Sequence, residues 1–141
     1  MKMHQKISIL ASVLTLAMLT GNFTRAQEVQ YRLANSNGTG TLKVGDETFK
    51  ITSVVVKLMD DQRAELTLIS DITVFLSGTW TAKNNQQHEI DLTITGGATQ
   101  GGLDATGRLI LSDDGKSVLR LSLQGSSHTR KRHFEVTFAS Q

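Results

Sequence analysis

The chain has 141 residues, no cysteine and no proline, and 15 Lys and Arg stand against 13 Asp and Glu. The missing cysteines exclude a disulfide-stapled scaffold, thiolate catalysis and cysteine-ligated zinc. A formal net charge of +2 is far from the basic surplus of a dedicated nucleic-acid-binding module.

Residues 1–26 read as a cleavable secretory signal peptide. Lys2 and Lys6 form a positive start, and Ile7 to Leu19 is an apolar run. Thr24-Arg25-Ala26 puts small residues at the −3 and −1 positions of a cut before Gln27. The run is short of the roughly 20 residues a membrane span needs, and no cysteine stands at the cut to carry a lipid. The sequence therefore predicts a secreted or periplasmic protein with no membrane span after the leader is removed. Lys2, Lys6 and Arg25 leave with the leader and no acid does, so the body has 12 basic against 13 acidic side chains. The basic character belongs mostly to the leader.

From Gln27 to Gln141 the sequence predicts one domain in which apolar residues recur with period two, the pattern of half-buried strands. Val29, Tyr31 and Leu33 alternate first, then Gly40, Leu42 and Val44. Phe49 to Leu58 is a long strand whose apolar face switches between Ile51 and Val54, which predicts a bulge near Ser53. Further apolar faces are Ala64-Leu66-Leu68, Ile72-Val74-Leu76-Gly78-Trp80, Ile90-Leu92-Ile94, Leu103 to Leu111, Leu119-Leu121-Leu123 and Phe134-Val136-Phe138. Turn-forming clusters separate the runs: NSNG, VGDE, MDDQR, AKNNQQ, GGATQGG, SDDGK and GSSHTRKR. A loop at Ile69-Ser70-Asp71, or a bend in a single strand, preserves facing between Leu68 and Ile72.

The expected fold is all-β: a single antiparallel up-and-down β-barrel of eight or nine strands, with a sandwich as the alternative. Three segments share the form small-Gly-x-large apolar, centred on Gly40, Gly78 and Gly107. An inward glycine lets a strand bend, so these positions are expected to help the sheet curl. Polar alternate positions and few aromatics argue against a membrane barrel, which needs an outer apolar band with aromatic girdles. The piece Gly78-Thr79-Trp80 resembles the Gly-x-Trp strand of lipocalins and avidin-like barrels. In lipocalins that strand comes first, whereas here it is mid-chain. The likeness covers these three residues, and implies a small barrel with a tryptophan plug and no particular ligand.

Catalytic motifs are missing. The body's histidines, His88, His128 and His133, form no zinc-ligand spacing, and no Gly-x-Ser-x-Gly is present. Asp60-Asp61 and Asp113-Asp114 sit in turn clusters and read as turn formers. GGATQGG opens no helix and lacks the lysine of a phosphate loop, so it reads as a flexible connection. The expectation is a non-enzymatic binding or structural protein that uses no metal or cofactor.

The run Arg130-Lys131-Arg132 lies between His128 and His133. Pairing Leu123 with Phe134 would set Gly125 against Arg132 and Ser127 against Arg130. Both arginines then have inward parity, over a barrel mouth, and Lys131 points out. In a nine-strand meander VGDE, Ser70-Asp71, GGATQGG and GSSHTRKR share that end. NSNG, MDDQR, AKNNQQ and SDDGK share the other. Three readings stay open: a solvated hairpin tip partly neutralised by Asp46, Glu47 and Asp71; a ligand site; and a patch of Arg130, Lys131 and Arg132 for an acidic partner. In the ligand site, Arg130 and Arg132 anchor the anionic head of a small apolar acid and Trp80 lines the cavity.

Overall fold

The computed structural model describes residues 29–97 and 102–141. The leader expected over 1–26 and the middle of GGATQGG lie outside the described residues. Tyr31–Gln141 folds as eight antiparallel strands closed into one barrel, not two packed sheets. They are β1 (Tyr31–Val44), β2 (Glu47–Met59), β3 (Arg63–Ile69), β4 (Thr73–Ala82), β5 (Glu89–Gly97), β6 (Leu103–Leu111), β7 (Val118–Ser127) and β8 (His133–Ser140). Each strand pairs with its chain neighbours, and β8 returns to β1 from Val44↔Phe134 to Gly38↔Ser140.

The strand count settles at eight because NSNG is not a turn. It lies inside β1, which runs unbroken from Tyr31 to Val44. The reason is packing against β8: a Cβ on Gly38 would collide with the carbonyl oxygen of Ala139, so glycine serves close approach here. The first half of β1 extends past the end of β8 and bonds to the β6–β7 turn and the first residue of β7. Asn35 N–H donates to the Lys116 carbonyl at 3.0 Å, and Val118 N–H donates to Ser36 Oγ at 2.9 Å. The expected irregularity near Ser53 is present. The β1–β2 register slips between Asn37↔Ser53 and Gly40↔Ile51, which lets Ile51 and Val54 both face inward.

The core is contiguous and drawn from every strand, including Leu42, Val56, Leu66, Leu76, Ile90, Leu92, Leu109, Leu121 and Phe134. Burying each such side chain contributes about 1.5–3 kcal/mol. Val74 and Trp80, expected in the core, are half-buried and pack against it. At Gly40, Gly78 and Gly107 a Cβ would strike the carbonyl oxygen of Thr137, Thr93 and Ser122 respectively. Adjacent strands approach so closely there that a side chain has no room, consistent with the expected bends.

Three facings differ from the sequence pattern. Tyr31 and Leu33 are 58 % and 51 % exposed, as Val29 is at 42 %, because β1 turns its even-numbered residues, Ala34 to Leu42, inward. Leu119 is also 42 % exposed, because β7 carries one extra residue between Arg120↔Ile110 and Val118↔Leu111. That bulge buries Val118 instead. Ile72 belongs to the β3–β4 turn, residues 70–72, and is exposed.

Candidate functional site

At one end of the barrel lie the β1–β2 turn, the β3–β4 turn, the end of β5 with the start of β6, and the β7–β8 turn, the grouping the meander pattern predicts. A pocket of about 430 Å³ opens there. Leu42 and Ser127 are its buried residues, and Val44, Phe49 and Val74 are half-buried wall residues. Ile72, Glu47, Thr129, Arg130 and Arg132 form the exposed rim. The volume falls within the range of small-molecule sites, which combine an apolar lining with a few polar groups.

The β7–β8 hairpin positions the two arginines. It pairs Gly125 with Phe134 and Leu123 with Val136, a register two residues away from the one expected. A two-residue slip preserves parity, so Arg130 and Arg132 still fall over the mouth. Ser127 opposes Arg132, not Arg130: Ser127 N–H donates to the Arg132 carbonyl at 2.9 Å, and Arg132 N–H donates to Ser127 Oγ at 3.0 Å. The Arg132 side chain runs beside Gly45, with Cδ and Nε 3.5 Å from where a Cβ would stand. The loop turns through two consecutive left-handed residues, Arg130 (φ 90) and Lys131 (φ 50). His128 ties it to Gly102 and to the start of β6. Its ring Nε2 lies 2.8 Å from Asp104 Oδ2, and its N–H donates to the Gly102 carbonyl at 3.1 Å.

Among the described residues, neither Arg130 nor Arg132 forms an ion pair; Asp46, Glu47 and Asp71 do not neutralise them by contact. Glu47 shares the pocket rim. Lys131 is exposed and does not line the pocket. The arrangement offers two guanidinium forks above an apolar floor, a geometry suited to a carboxylate or phosphate.

Trp80 is not brought to this site. β4 carries it to the opposite end, where its indole N–H donates to the Met59 carbonyl. The Arg32 guanidinium lies 5.5 Å from the ring centroid and bonds the Gln87 carbonyl at 3.3 Å. Tryptophan and arginine together cap that end. Outside the sequence-derived site are the pocket's Leu42, Val44, Phe49, Ile72, Val74, Ser127 and Thr129, and Glu47 was expected at this end only as a neutralising acid. Parity marks Phe49 and Ser127 as inward, but only closure of the sheet brings three different turns together.

The paired turn acids act as turn formers. Asp61 accepts from Arg63 Nε at 2.7 Å and from its backbone N–H at 3.2 Å. Asp114 accepts from Ser112 Oγ at 2.6 Å and from Lys116 N–H at 3.0 Å. These two donors, the Ser112 hydroxyl foremost, hold the Asp114 carboxyl below its ordinary value of 3.8. Among the described residues no group of His, Asp and Glu gathers as a metal site. A broader trough of about 710 Å³ lies on the outer face of β5–β7, lined by Asp91, Arg108, Arg120, Ser122 and Gln124. It has a mainly polar rim, and Arg108 is already 3.7 Å from Asp91. A scan against protein-family models and searches of curated proteins and of solved structures return no match.

Proposed function

We propose that this chain is an exported, non-enzymatic binding protein whose barrel mouth takes a small apolar acid. What supports this reading is the end pocket, where Arg130 and Arg132, without ion-pair partners among the described residues, rim a floor of Leu42, Val44, Phe49 and Val74. The anionic head lies on the guanidinium groups and a short apolar body fills the pocket. The core below is packed, so the ligand sits at the mouth and does not run down the barrel axis. The layout of residues 1–26 supports export.

Calorimetric titration with decanoate, and with an alkyl phosphate of similar length, tests the reading. Saturable binding is expected, weakened roughly tenfold or more by Arg132→Ala and by Arg130→Ala, the loss of one charge-assisted contact each. An alkylamine of the same length should bind more weakly than either acid. If neither acid gives saturable heat, or if the arginine variants bind them as the parent does, the proposal fails.

A further inference from the structure

The mouth pocket also holds an anion. Glu47, Phe49 and Ile51 follow one another on the inward parity of β2, and across the hairpin Glu47 pairs with Val44 and Phe49 with Leu42. Glu47 therefore stands over the same apolar floor as the two arginines and lines the pocket with them. The β1–β2 and β7–β8 turns are tied together: Gly45 N–H donates to the His133 carbonyl at 2.8 Å, and the Arg132 side chain runs beside Gly45. Yet among the described residues no ion pair joins Glu47 to Arg130 or Arg132. Opposite charges that line one cavity without touching leave room for a ligand that carries both complements. Ser127 is the pocket's buried polar side chain. Its Oγ accepts from the Arg132 N–H at 3.0 Å, and its own O–H is left to donate.

Closure gives these groups a fixed order around the rim, because β8, β1, β2, β3 and β4 are consecutive neighbours. Arg130 and Arg132 stand just before β8, Glu47 at the start of β2, and Ile72 and Val74 where β4 begins. Cation, anion and apolar wall thus follow one another. An α-amino acid carries the three complements on a single carbon: a carboxylate, an ammonium group and a side chain. We propose that the mouth selects a free apolar α-amino acid over a simple apolar acid, and that Glu47 sets this preference; the inference rests on the reading of the pocket as a site for a small acid. The carboxylate lies on the guanidinium groups and accepts from the Ser127 O–H. The ammonium group lies on Glu47, and the side chain covers Phe49 toward Ile72 and Val74. Contact at three different points distinguishes the two enantiomers. Glu47 also acts against the simple acid, because it sets an uncompensated anion beside the ligand's own.

Calorimetric titration with L-phenylalanine, D-phenylalanine and 3-phenylpropanoate, which lacks only the ammonium group, tests this inference. One enantiomer of phenylalanine should bind about three- to fivefold more tightly than 3-phenylpropanoate, the upper range for an exposed ion pair. Glu47→Gln should abolish that preference, weakening phenylalanine while 3-phenylpropanoate holds or tightens. Glu47 is exposed, and circular dichroism confirms that the variant is folded. The inference is overturned if 3-phenylpropanoate binds as tightly as phenylalanine, if the enantiomers bind alike, or if Glu47→Gln weakens all three equally. Should decanoate and 3-phenylpropanoate bind through Arg132 while phenylalanine has no advantage, this inference alone falls and the small-acid reading stands. Should no acid bind, both fall.

Discussion

The indole N–H of Trp80 donates to the backbone carbonyl of Met59 at 2.8 Å, fastening β4 to the end of β2 at the barrel end remote from Arg130 and Arg132. Trp80→Phe keeps most of the apolar contact and leaves that carbonyl with the Gln62 N–H, at 3.0 Å, as its remaining donor. The expected cost is about 0.5–1.5 kcal/mol, read as a lower urea midpoint with unchanged slope. Because the ring is at the other end, its emission should stay constant while decanoate fills the mouth pocket.

Close approach of backbones at Gly107 should make that position intolerant. A Cβ there meets the Ser122 carbonyl and Leu123 Cα, neither of which can swing aside. Gly107→Ala is expected to cost about 1–3 kcal/mol or more, the range for overpacking. At Gly96 the nearest obstacle is the Ser77 hydroxyl at 2.9 Å, which can rotate, so Gly96→Ala should be much milder. Equal midpoints for the two variants would contradict this account.

Lys131 holds a left-handed backbone, φ 50, without lining the pocket. Lys131→Gly removes the steric penalty of a Cβ in that region, about 1 kcal/mol. Part of that gain is offset by the freer unfolded chain. A small rise in melting temperature is expected, with decanoate affinity unchanged.

The Asp114 carboxylate contributes stability through its bonds from Ser112 and Lys116. Its folded value is lowered, so the unfolded chain takes up the proton first. The contribution is present above the ordinary value of 3.8 and is lost as pH falls through the folded value. Denaturation midpoints measured across that acid range should fall less steeply in Asp114→Asn than in the parent, since the amide does not titrate there.

Phe134 is fully buried, paired with Gly125 on β7 and Val44 on β1. Phe134→Ala removes a large side chain from the seam that closes the barrel. The expected loss is about 3–5 kcal/mol, measured by urea denaturation.

Period-two patterning made the closed all-β architecture legible, and Phe134, Val136 and Phe138 faced inward as their alternation required. It failed where both parities carry apolar residues. Val118 and Leu119 are adjacent, and only a bulge invisible in the pattern decides between them. In β1 the outward Tyr31 and Leu33 are larger than the inward Ala34, so side-chain size pointed the wrong way. The cluster NSNG has turn chemistry, yet Gly38 is there to let β8 approach. Arg130 and Arg132 were legible as mouth residues because parity survives a two-residue slip. Glu47 was legible at this end from its turn cluster, but Phe49, Val74 and Ile72 were not legible as pocket members, because they come from other strands and turns and meet the arginines only after closure.

Closure also imposes an order on synthesis. The Thr41 and Thr137 hydroxyls, 3.1 Å apart, join residues separated by 96 positions. β1 therefore waits, one edge unpaired, until the last strand has been made. A nascent chain remains an open ribbon with two exposed edges, the state most vulnerable to exchange of strands between molecules. Until Phe134, Val136 and Phe138 arrive, the β1–β8 seam cannot form.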